Sequence, residues 1–79
     1  MAKAYAVVVR ERSEVSDSIQ VSAITREAHR AYLELLMVCE HYYEHHHTLH
    51  DEKKRKVFKT ACGKTTVEAF IQDTMLVDW

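Results

Sequence analysis

The chain has 79 residues, of which 47% are hydrophobic and 29% charged, and 11 Lys and Arg against 12 Asp and Glu leave a formal net charge of −1. That balance excludes the charge imbalance of intrinsic disorder and the basic excess usual in nucleic-acid-binding domains; the length predicts one small domain, 1–79, with a thin core. One glycine, no proline and two cysteines exclude a loop-rich, disulfide-stapled scaffold and predict short connections, high helix content and a reducing, cytoplasmic compartment.

From Ala4 to Arg12, β-branched and aromatic side chains dominate, and Tyr5, Val7 and Val9 recur at period two, which predicts a strand. After the polar segment Ser13 to Ser18, Ile19, Val21 and Ala23 alternate with Gln20 and Ser22, predicting a second strand paired with the first as a hairpin. Thr25 is placed to cap a helix and Glu27 to sit in its first turn. The helix is expected to run to about His46, with Ala28, Tyr32, Leu35, Cys39, Tyr42 and His46 on one stripe, flanked by Ala31, Leu36, Val38 and Tyr43. Leu33 and Met37 fall on the opposite side, so the helix is either sandwiched within the domain or shared with a second copy in a homodimer.

Beyond Thr48 the pattern predicts a second helix, capped by Thr48, carrying Asp51 and Glu52 in its first turn and stopping at Gly63. Thr65-Thr66-Val67-Glu68 has the form of a capping box, and Val67, Phe70, Ile71 and Met75 then keep helical spacing to a third helix ending near Leu76. The fold class expected is α+β: an N-terminal β-hairpin followed by a long α-helix and two shorter helices. The alternative pairs Val57 to Cys62 with Val67 to Ile71, giving ββαββ, a four-stranded antiparallel sheet with one long helix. The longest apolar run, Leu35 to Cys39, is far too short to span a bilayer, and the first residues lack the apolar core of a signal peptide.

Among motifs with chemical content, His41-Tyr42-Tyr43-Glu44-His45 matches H-x-x-E-H, in which two histidines one helical turn apart share Zn²⁺ and a glutamate acts as base. A catalytic zinc site needs a third ligand on a distant element and a substrate cleft, and only 34 residues follow His45, so no catalytic residue is assigned and no cofactor is expected. Metal binding without catalysis, through His41, His45, His46 and His50, is a separate reading, set against a solvated, histidine-rich helix end favoured by the helix dipole. Gly63-Lys64-Thr65 is not a phosphate-binding loop, because the position five residues before the glycine is Phe58. Cys39 and Cys62 lack C-x-x-C spacing and read as structural.

Two surfaces then carry the functional reading. Lys53, Lys54, Arg55 and Lys56, with Lys59, form the one basic run; it suits a nucleic-acid-binding regulator and equally a solvated helix face. Leu33 and Met37 off the core stripe, and Trp79 at the chain end, are candidate contacts to a protein partner. In size and opening layout, through the strand Ala4 to Arg12, the strand Ile19 to Ala23 and the helix entered at Thr25-Arg26-Glu27-Ala28, the chain resembles small phage-encoded inhibitors of host machinery, anti-CRISPR proteins among them. The resemblance spans little more than the first half and assigns no functional residue. It implies a non-enzymatic viral protein that occupies a surface on a host complex, in the host-cell cytoplasm.

Overall fold

A strand sends successive side chains to opposite faces, so in the first element Tyr5, Val7 and Val9 share one face while Ala4, Ala6 and Val8 share the other. In the computed structural model, which describes residues 2–76, β1 (Ala2–Ser13) is an inner strand of the sheet. It turns back into β2 (Asp17–Thr25), the helix α1 (Ala28–His45) follows, and β3 (His47–Asp51), β4 (Arg55–Lys59) and β5 (Thr65–Leu76) complete the chain. The five strands are ordered β2-β1-β5-β4-β3, and every neighbouring pair is antiparallel. The edges β2 and β3 therefore run in the same direction, and α1 joins them by crossing one face of the sheet, touching all five strands.

The core lies between that face and the helix. Ala31, Leu35 and Cys39, spaced by one turn, meet Val7 of β1, Phe58 of β4 and Val67 and Ala69 of β5, with Tyr5, Val9, Ala23, Tyr42 and Ile71 around them. Burying side chains such as Leu35, Val7 or Phe58 contributes about 1.5 to 3 kcal/mol each. The other side of the sheet carries no helix. Its middle is apolar, with Ala4, Ala6 and Val8 of β1 buried outside the helix-facing cluster; towards the far end of β1 it becomes charged. There Arg10 bonds Asp17 through both carboxylate oxygens at 3.1 and 2.8 Å, and Arg55 meets Glu68 at 2.6 to 2.7 Å.

The hairpin and long helix are as expected, and the α+β class holds. The two shorter helices do not form. The segment from Thr48 to Gly63 is instead β3, a turn and β4, and the expected third helix is the twelve-residue strand β5. The alternative was nearer, since Phe58 does pair with Val67 and Val57 with Glu68, but it lacked β3. The reason is tertiary: β5 pairs with β1 along its whole length, from Ala2 opposite Leu76 to Ser13 opposite Thr65. Gly63 does adopt positive φ, at 74°, yet it serves the β4–β5 turn, where its N–H donates to Thr60 O at 2.8 Å. Thr65 likewise closes that turn, accepting from Thr60 N–H at 3.0 Å.

Three local expectations also change. The N-cap is Glu27, without a side-chain cap, while Thr25 Oγ1 donates to Glu27 O at 2.9 Å. In β2 the register slips between Val7 and Val8 of its partner, so Ala23 opposes core-facing Val7 while Val21 opposes Val8. Ile19 and Val21 thus lie on the helix-free face, apart from Ala23. Leu36, expected to flank the core, is exposed on the outer side of α1.

Candidate functional site

The outer surface of α1 follows from what its inner surface buries. With Ala31, Leu35 and Cys39 against the sheet, residues about half a turn away face outwards, and Leu33, Leu36 and Met37 do so at spacing i, i+3, i+4. Met37 is 68% exposed, Leu36 49% and Leu33 47%, so three large apolar side chains form one patch. Sequence reasoning found Leu33 and Met37 and missed Leu36. Trp79, the third expected contact, lies outside the described residues.

The basic run is dispersed. Because the segment is a turn and a strand, its members alternate: Lys53 sits 4.4 Å from the ring centroid of Tyr32 on α1, Lys54 is in the turn, and Arg55 binds Glu68 on the helix-free face. Lys56 points the opposite way and is buried, and Lys59 pairs opposite Thr66 on the Arg55 side. The strand thus divides these charges between two faces, and three of the five, Lys53, Arg55 and Lys56, are engaged by side chains of the chain itself.

Lys56 belongs to a polar network at the C-terminal end of α1. Its ammonium donates to Asp51 Oδ1 at 2.6 Å and to Glu52 O at 3.0 Å, and the Tyr43 hydroxyl donates to the same Asp51 oxygen at 2.9 Å. Burial pulls the Lys56 pKa down, but the bonds to Asp51 and Tyr43 outweigh it and leave it above the usual lysine value. The Lys56 and Tyr43 hydrogen bonds hold Asp51 below the usual carboxylate value. Helix, β3 and β4 are thereby tied together by side chains that the sequence alone assigned to separate roles.

The histidines part company in the fold. The rings of His41 and His45 lie tilted to each other with centroids 4.6 Å apart, and His46 lies 6.2 Å from His41 and edge-on to Tyr42 at 5.1 Å. His50 is on β3, where its Nε2 lies 2.9 Å from Glu52 Oε1. Among the described residues, no group of three or more His, Cys, Asp or Glu side chains is arranged to hold a metal ion. Cys39 is buried in the core, which pushes its pKa up to about 11; Cys62 is exposed, and hydrogen bonds from the Thr60 hydroxyl and a backbone N–H lower its value.

Two grooves lie along the seam between β2 and α1. One, of about 420 Å³, is bounded by Ile24 and Thr25 and by Arg26, Arg30 and Glu34; the other, of about 200 Å³, by Gln20, Ser22, Val38 and Tyr42. No described helix is long and apolar enough to cross a membrane. Compared with protein-family models, curated proteins and solved structures, the chain gives no match. Geometry and sequence alone therefore bear on function.

Proposed function

We propose that the chain is a non-enzymatic protein-binding module, an inhibitor or adaptor that works by occupying a surface on a partner protein or complex. The observation that supports this reading is the outward patch of Leu33, Leu36 and Met37 on a helix whose inner side already satisfies the core. Three exposed aliphatic side chains at helical spacing suit the helix-in-groove mode of recognition, in which i, i+3 and i+4 anchors enter an apolar groove. Methionine adds an adaptable contact at the centre of the patch. Around it His29, Glu40 and Glu44 are exposed and form a polar rim. The resemblance in opening layout to small phage-encoded inhibitors points to the same mode of action.

The test compares proteins retained by the wild-type chain with those retained by a Leu33→Glu, Met37→Glu double variant, from cells of the source organism. The reading expects a defined protein held by the wild type and lost from a variant with unaltered circular dichroism. Retention of the same proteins by both would overturn it.

A further inference from the structure

The two edges of the sheet are treated differently. An exposed edge is a template for pairing with another strand, and proteins normally blunt it by shortness, by charge or by proline. Edge β3 is blunted: it has five residues, with His47, His50 and Asp51 among them. Edge β2 is nine residues long, and it contains neither lysine nor proline. Its one charge, Asp17, stands at the beginning of the strand and is bound to Arg10. Between them lie Ile19, Val21 and Ile24, each more than half exposed. The helix leaves this edge uncovered, since grooves run along the seam between the two.

We propose that two copies of the chain join through β2, edge to edge and antiparallel about a twofold axis, making one continuous sheet of their two five-stranded sheets. The bulge in β2 decides the register. Because of it, Ile19, Val21 and Ile24 lie on the helix-free face while Ser18, Gln20, Ser22, Ala23 and Thr25 lie on the helix face. In a twofold pairing each opposed pair must share a face, and a slip of one residue exchanges the faces. Setting Ser22 against Ala23 of the second copy meets this condition at the axis and on both sides of it. Val21 then opposes Ile24 of the second copy, and Gln20 opposes its Thr25. Setting Val21 against itself would bring Ile19 to Ala23, and setting Ser22 against itself would bring Gln20 to Ile24, both mismatched.

Setting Val21 against Ser22 would oppose a helix-free to a helix-facing side chain at the axis itself. A bulge commonly protects an edge by breaking its regularity; here the two bulges meet at the axis and cancel.

Sedimentation equilibrium of the full chain at micromolar concentrations is expected to give twice the chain mass. Val21→Lys is expected to give the single-chain mass with unchanged circular dichroism, since that side chain is exposed. The register is read separately, in a Cys62→Ser background. The double variant Val21→Cys, Ile24→Cys is expected to form an inter-chain disulfide on oxidation, while neither single variant does. Within one chain the two positions are roughly 10 Å apart along the strand, beyond disulfide reach. A wild-type monomer, a dimer that persists in Val21→Lys, or a double variant that fails to cross-link would overturn the proposal. Met37→Glu is expected to leave the dimer intact, so loss of dimer and loss of a captured partner report on different surfaces.

Discussion

Lys56 shows how far one side chain's role depends on its backbone. In the sequence it is one of four consecutive basic residues; on β4 it turns inwards, 5% exposed, while Arg55 turns away. A buried ammonium is costly unless paired, and Asp51, Tyr43 and Glu52 O supply the pairing. Asp51→Asn, which keeps the shape and removes the charge, is expected to lower stability at neutral pH by about 1 to 3 kcal/mol. Lys56→Met, which removes the buried charge altogether, is expected to change it by less than about 1.5 kcal/mol. The sign with pH follows from Asp51, whose folded pKa is depressed. Its contribution is complete above the unfolded carboxylate value of roughly 4 and is lost as pH falls through the lower folded value. Urea denaturation at neutral and acid pH checks this: the gap between wild type and Asp51→Asn should close in acid, and a gap independent of pH would count against the pairing.

At the scale of elements, the first half of the chain was legible and the second was not. Tyr5, Val7 and Val9 alternate without competition, and the long helix buries Ala31, Leu35 and Cys39 as its periodicity requires. The stretch from Thr65 onwards supports two periods at once. Val67, Phe70 and Ile71 keep helical spacing, while Val67, Ala69 and Ile71 alternate, and the structure uses the alternation. Short apolar runs do not resolve this ambiguity locally; the open side of β1 does, by pairing with all of β5. Gly63 illustrates the same point, since a positive-φ glycine ends a helix or makes a strand turn equally well. An added Cβ there would lie 3.4 Å from Lys59 Cε, the flexible part of a side chain, so the cost of substitution comes from the backbone. Gly63→Ala is expected to destabilise by about 1 to 2 kcal/mol, and Gly63→Asn by less, since asparagine tolerates this conformation. Chemical denaturation of the three proteins checks the order.

For the molecule as a whole, one helix on one side of a five-stranded sheet leaves a core only one side chain deep on either side of the contact. Domains of this size hold stabilities of only about 4 to 12 kcal/mol. Leu35→Ala, at the centre of that contact and fully buried, is expected to remove about 2 to 5 kcal/mol, enough to lower the thermal midpoint steeply. Met37→Ala, two residues away on the outer side, should stay within about 0.5 kcal/mol. Equal effects in a thermal melt would contradict the assigned inner and outer faces. The same architecture governs the candidate surfaces. The outward position of Leu33 and Met37 followed from helical periodicity and was legible, whereas the exposure of Leu36 depended on how narrow the strip of contact with the sheet became. The β2 edge could not be read at all, because strand order is set by pairing between distant segments. What the sequence by itself determined is the α+β class, the opening hairpin, the long helix and its two-sided character, since these rest on local periodicity and propensity. Only the tertiary structure decided that the second half is β, that the basic run is split between faces, and that β2 is a long edge strand. Each of those depends on β1 having two sides to satisfy, and the hairpin satisfies only one.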